Sequence, residues 1–185
     1  MRRLSVWVTL AMLLSLAAQQ PIATSAVQRI ELPGVRVLAV APFDDEWYAP
    51  DLALYGPARL TQLVSRGPYR TVSPAEVAGA MKRLGLTARA LISPSRTVEL
   101  GATLGADAVL TGRITYALRE KPGPREDSTA MADGGSGSRV DVDIRILNVT
   151  TRARPLEQRF SCQLEGSLQM AMDCVMRDTA SRLVP

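Results

Sequence analysis

Glu99–Thr115, ELGATLGADAVLTGRIT, changes its hydrophobic period part-way along. Up to Leu104 the stripe is helical, with Val98, Gly101 and Leu104 on one side, and Gly105 is the residue type that most readily takes the left-handed conformation closing a helix. From Ala108 the period is two: Ala108, Leu110, Gly112, Ile114, Tyr116 and Leu118 share one face and Arg113 lies on the other. The stretch predicts a helix within residues 94–104 that stops sharply and feeds a half-buried strand. Its glycines are no phosphate cradle, because a phosphate loop runs from strand into helix, the reverse of this order.

Downstream the alternation continues. Val140, Val142, Ile144 and Ile146 form one apolar face, and Leu156, Phe160, Cys162 and Leu164 another, while Arg113, Asp141, Asp143, Arg145, Glu157 and Arg159 fall on a wetter side. Asn148–Pro155, NVTTRARP, is the turn that makes the last two strands an antiparallel hairpin. Residues 120–139 are too polar and too rich in Gly, Pro and Ser to pack, and read as a flexible loop. An amphipathic helix over about 167–183 follows, burying Leu168, Met172, Val175 and Leu183.

Upstream, Val35–Ala41 is almost continuously apolar and β-favouring, as in a central strand covered on both faces. Asp44 to Gly56 reads as a loop. Gly56-Pro57 reads as a helix start, with Ala58, Leu60, Leu63 and Val64 forming a short helix closed by Gly67. A brief strand, Tyr69–Val72, precedes SPAEV, a capping box in which Ser73 caps, Pro74 takes the first helical position and Glu76 reaches back. That helix buries Val77, Ala80, Met81 and Leu84 and stops at Gly85. The order β-α-β-α-α-β-β-β-α predicts a single mixed-sheet α/β sandwich.

Met1-Arg2-Arg3 followed by the apolar run Leu4–Ala18 and a small-residue stretch to Ala26 has the form of a signal peptide, residues 1–26, which leaves one α/β domain over 27–185. No cysteine precedes Cys162, so no lipoprotein cysteine is expected, and no later run suits a transmembrane helix. Losing Arg2 and Arg3 from the 22 basic residues, against 18 acidic ones, brings the net charge to +2. The arginines are scattered among acids, unlike the clustered surface of a nucleic-acid binder. Histidine is absent, which removes Ser/His/Asp triads, His-ligated zinc and the usual pH switch.

Asp44, Asp45 and Glu46 are the candidate catalytic carboxylates of a hydrolase; a solvated strand exit is the plainer reading, since nothing in sequence desolvates them. No spaced Asp pattern supports calcium or magnesium, and no metal or cofactor is expected. Trp47, Tyr48 and Tyr55 read either as cover for the core or as a protein-contact surface of the kind aromatics favour. Cys162 and Cys174 in an exported chain point to one disulfide, with two small buried apolar side chains as the alternative.

Several fragments in order resemble one family. VLAVAPF looks like its opening strand, LTQLVSRGPYRTVSPAEV like its helix, glycine, aromatic and strand, ELGATLGADAVLTGRIT like its Leu-Gly-Ala-Asp segment, and VDIRILNVTTRAR like a strand and turn that often carries Asp-x-x-Thr-Gly. The family is that of the CsgG-type bacterial envelope proteins: the curli secretion channel, a polysaccharide-export ring protein and activators of penicillin-binding proteins. The resemblance implies an anticodon-binding-like sandwich that works without chemistry, by binding envelope proteins or forming homo-oligomers. The 120–139 segment lacks the alternating pattern of a membrane hairpin, so a pore is not expected.

The expectation is thus a non-enzymatic periplasmic adaptor for secretion, polysaccharide export or cell-wall synthesis, with an exported hydrolase or a small-ligand or glycan-binding module as alternatives. Thiol labelling of the unfolded, unreduced protein tests the cysteine reading: no reactive cysteine is expected, and two labelled thiols would refute the bond.

Overall fold

Val37–Val40 forms β1, a short central strand whose two sides both carry parallel neighbours. The computed structural model describes residues 29–47, 49–119 and 137–184; the expected leader, Tyr48 and residues 120–136 of the expected loop lie outside them. On one side β1 pairs with β3, Arg70–Thr71, and on the other with β4, Ala108–Arg119. The Leu-Gly-Ala-Asp turn locks this arrangement. Gly105 takes φ 60° to end the preceding helix, and the Asp107 carboxylate accepts the backbone N–H of Arg36 at 2.8 Å and of Val37 at 2.9 Å.

After β1 the chain stays beside β4. Val40 pairs with Leu110 and Asp44 with Arg113, so Ala41, Pro42 and Phe43 stand opposite only Thr111 and Gly112. This is a bulge at a proline that has no N–H for the ladder. The two-residue strand β2, Asp44–Asp45, then resumes parallel pairing, so the segment expected to be loop begins as strand.

The first helix, α1, runs Pro50–Val64 and does not start at Gly56-Pro57. Pro57 lies inside it. An interior proline leaves the carbonyl four residues back without its donor, and here the Ala53 carbonyl accepts the Phe43 N–H instead, at 3.4 Å. Gly56 removes the side-chain crowding that usually keeps the residue before proline out of a helix. Tertiary structure thus supplies what the local sequence denies. Helix α2, Pro74–Leu84, carries the capping box, with the Glu76 N–H donating to Ser73 Oγ and the Ser73 N–H to Glu76. A 3-10 turn, Arg89–Ile92, leads to α3, Pro94–Leu104, whose buried stripe is Thr97, Leu100 and Gly101, displaced from the expected Val98 and Leu104. The stripe shifts because Thr97 Oγ1 donates to the Leu91 carbonyl and turns that side of the helix inwards.

β4 pairs antiparallel with β5, Gly137–Asn148, and β5 with the edge strand β6, Leu156–Glu165. Gly137, Ser138 and Arg139, read from sequence as loop, are already strand, paired on β6 with Glu165, Leu164 and Gln163. The sheet order is β3-β1-β4-β5-β6, an α/β fold with one mixed sheet. Between β5 and β6 the Asn148 amide oxygen accepts the N–H of Thr150 and Thr151, and Arg152 takes φ 59° where the resembled family often has glycine.

Two apolar layers sandwich the sheet unequally. On one face α1 and α4, Leu168–Leu183, close over Leu38, Val40, Leu110, Ile114, Val142 and Phe160. The Cys162–Cys174 disulfide ties β6 to α4, with Cα atoms 6.1 Å apart. On the other face α2, α3 and the 3-10 turn cover only Ala39, Ala41, Val109 and their neighbours. The β5–β6 half of that face has no helix over it among the described residues.

Phe43 packs between the sheet and α1. A Cβ placed on Gly112 would lie 2.6 Å from its ring, and one on Gly56 3.0 Å from it. Glycine to alanine in a strand ordinarily stabilises by about 0.4–1 kcal/mol through the unfolded chain, but overpacking against a buried ring costs about 1–3 kcal/mol. Gly112→Ala is therefore expected to lower the melting temperature by several degrees, and an unchanged or raised value would refute this packing.

Candidate protein-contact surface on the open sheet face

The uncovered half of the sheet is a field of arginine–carboxylate pairs, because the alternation of β4, β5 and β6 sends their polar residues to this side. Arg159 grips Asp143 with two bonds of 2.7 and 3.0 Å across the β5–β6 ladder. Arg145 pairs with Glu157 at 2.7 Å and donates to the Ile92 carbonyl at 3.2 Å, which fastens the 3-10 turn to the sheet. Arg139 holds Asp141 through two bonds of 3.0 and 2.9 Å. A cleft of about 270 Å³ lies where this field meets the 3-10 turn at Leu91 and Ile92.

The three acids after β1 join the same field. Arg113 reaches Asp44 at 3.2 Å and Glu46 at 3.2 Å, while Asp45 Oδ1 accepts the Trp47 N–H at 2.9 Å. Two of the three are thus ion-paired and the third shapes the turn. The carboxylates that shift on this face shift downwards. Burial pushes Asp141 up, but its bonds from Arg139 and Ser161 and nearby arginine charge outweigh that and leave it below the usual range. At Glu157, too, burial pushes the carboxyl up, but bonds and charge from Arg154 and Arg145 outweigh that and leave it below the usual range. A general acid working near neutrality needs the opposite shift.

Aromatic side chains stand at the β2 end. The period-two reading placed Tyr116 and Leu118 on the core face, but the β4–β5 register slips between Ile114 and Tyr116. The bulged Thr115 absorbs one residue, so Tyr116 comes opposite Asp141 on the open side and Ala117 turns inwards opposite Val140. Tyr116 meets Trp47 with ring centroids 5.2 Å apart and planes at 60°, and the Arg139 guanidinium lies 5.3 Å over the Tyr116 ring. Trp47 remains 46% exposed.

Tyr55 is not brought to this cluster. It sits on α1, half-buried against the other core layer, with its hydroxyl 3.5 Å from Asp173 in the open groove between α1 and α4. Asp173 is also ion-paired with Arg59 and Arg177. Tyr48 lies outside the described residues. Tyr116 is the surface residue that sequence reasoning missed; only the bulge moves it, and Thr115 carries no Gly or Pro to mark one. Among the described residues no cluster of three His, Cys, Asp or Glu could hold a metal ion, and no helix is long and apolar enough to cross a membrane.

No protein-family model matches the sequence, and no curated protein gives a significant match. Solved structures share the fold. Lipoprotein GNA1162 from Neisseria meningitidis aligns with TM-score 0.56 and 20% identity over 79% of this chain and 99% of its own. The PelC dodecamer from Paraburkholderia phytofirmans gives 0.54 and 12% over 83% and 92%. LpoB from E. coli gives 0.50 and 16% over 70% of this chain and 59% of its own. At these identities the likeness establishes a common fold and nothing about a common partner.

The Asp141 pair has a pH signature. A carboxylate held below its ordinary value near 3.9 contributes stability that is fully present above that value and drains away as pH falls through the folded-state pKa. Asp141→Asn is expected to lower the urea midpoint at neutral pH and to flatten its decline below about pH 4. Parallel wild-type and variant profiles would show that Asp141 contributes no such linkage.

Proposed function

We propose that this chain is a non-enzymatic, exported envelope adaptor of the CsgG type, acting by protein contact through the open sheet face around Trp47. The observation that carries the reading is the exposed Trp47–Tyr116 pair at the rim of a face whose carboxylates are held by arginine. Aromatic anchors beside a satisfied polar surround are what a protein contact uses. The ordered sequence resemblance supports the family assignment, and the fold shared with lipoprotein GNA1162, PelC and LpoB supports an envelope role. In this reading a leader ending near Ala26 sends the adaptor to the periplasm.

Tyr48, next in sequence to Trp47, belongs to the same proposed contact. Tyr55 serves only a partner that reaches the groove between α1 and α4. The hydrolase alternative gains nothing from the geometry: Arg113 binds Asp44 and Glu46, and none of the three acids lines the cleft nearby. A glycan-binding module would line that cleft with aromatic rings, and its walls are aliphatic and charged instead.

A photo-crosslinking residue placed at position 47 in cells of the source bacterium tests the reading, with position 54, where Leu54 is 70% exposed on α1, as control. A discrete protein adduct from 47 and none from 54 is expected. In parallel, Trp47→Ala with Tyr48→Ala is expected to abolish the adduct formed from a neighbouring site, such as 46, while moving the melting temperature by no more than about 2 °C. Absence of any adduct at 47, or loss of folding in the double variant, would overturn the proposed contact.

A further inference from the structure

The two edges of the sheet are built differently. β3 exposes a two-residue edge, Arg70–Thr71, too short to template a strand. β6 exposes ten residues, Leu156–Glu165, in unbroken register with β5, with no proline, bulge or lysine along them. Long exposed edges are normally blunted by such devices or by charged side chains, because their free N–H and C=O groups invite another strand, and the charges on β6, Glu157, Arg159 and Glu165, are of both signs. Among the described residues no backbone bond reaches the outer side of β6.

We propose that the β6 edge pairs antiparallel with β6 of a second copy of this chain, around a two-fold axis at Cys162, to form a continuous sheet across a homodimer. The sequence of the edge is self-complementary in that register. Arg159 comes opposite Glu165 of the second copy and Glu165 opposite its Arg159, while Ser161 faces Gln163 on the same side. On the helix side Phe160 comes opposite Leu164. Glu165 has no ion-pair partner among the described residues, whereas the other β6 carboxylate, Glu157, is held by Arg145 and Arg154. Opposite charges directly across an antiparallel ladder stabilise it, and like charges there destabilise it.

The same end carries an unused apolar group. Met170, 56% exposed, lies over Gly166 just past β6, where it would cover the new junction beside Leu164. Pairing like with like also closes at two subunits. A head-to-tail ring would have to join β6 to β3, whose two residues offer too few bonds. The β6 edge shares Arg159 with the open face, but the test below reads self-association and not partner capture, so failure of the dimer and failure of the adaptor reading are distinguishable.

The test is sedimentation equilibrium of the disulfide-bonded chain from residue 27 onward at micromolar to high-micromolar concentrations. A monomer–dimer equilibrium is expected. Glu165→Arg sets Arg159 against arginine on both sides of the axis and is expected to weaken the dimer by about tenfold or more. Arg159→Glu sets glutamate against Glu165 and is expected to do the same, with circular dichroism confirming that each variant is folded. Mixing the two restores both opposite-charge pairs, so the mixture should dimerise as the wild type does. Hydrogen exchange should show alternate β6 amides protected at high concentration and released on dilution. A monomer at all concentrations, a larger assembly, a dimer indifferent to Glu165→Arg, or no recovery on mixing folded variants would each overturn the proposal.

Discussion

The ring of Phe43 rests on two missing side chains, one at Gly112 in the sheet and one at Gly56 in α1, and much of the architecture is arranged around that contact. Burying a phenylalanine contributes about 2–3 kcal/mol, but its larger effect here is geometric. Pro42 breaks the ladder and the bulge re-aims the chain, so the ring is driven between sheet and helix. The Phe43 N–H then satisfies the Ala53 carbonyl that Pro57 has orphaned. One residue thus reconciles a broken strand with a proline-bearing helix.

The placement of α1 and α4 over one face and α2 and α3 over half of the other follows from chain order. Helices α2 and α3 connect β3 to β4, so they lie over the parallel side of the sheet, near β1. The hairpin β5–β6 has only a tight turn and brings no helix to cover its far side. Most of its outward residues are accordingly polar, and Asp141, Asp143, Arg145, Glu157 and Arg159 are ion-paired there. The bulge at Thr115 adds Tyr116 to this surface, since without it the side chain would point into the core.

Elements whose signals are local were legible in sequence. The capping box at Ser73, the left-handed stop at Gly105 and the strict alternation of Val140 to Ile146 each act within a few residues. The polar face of Arg113, Asp143, Arg145, Glu157 and Arg159 followed from the same alternation. Features decided by distant partners were not legible. Gly56-Pro57 reads as a helix start because proline is favoured there, and only the remote Phe43 amide lets the helix begin at Pro50. Gly137 to Arg139 read as loop by composition, yet the neighbouring β6 draws them into the ladder. The role of Asp107 was likewise invisible: the aspartate of the most recognisable motif serves as a backbone clasp on β1, which keeps its carboxylate below the usual range.

The open face is staffed almost wholly by arginine; Lys82 and Lys121 are the chain's lysines, and histidine is absent. Guanidinium groups stay charged at every physiological acidity. Exposed pairs do respond to dissolved ions, whose screening at physiological strength acts over about 8 Å. The pairing on this face therefore depends on salinity, because exposed arginine and carboxylate loosen their hold on each other as dissolved salt rises.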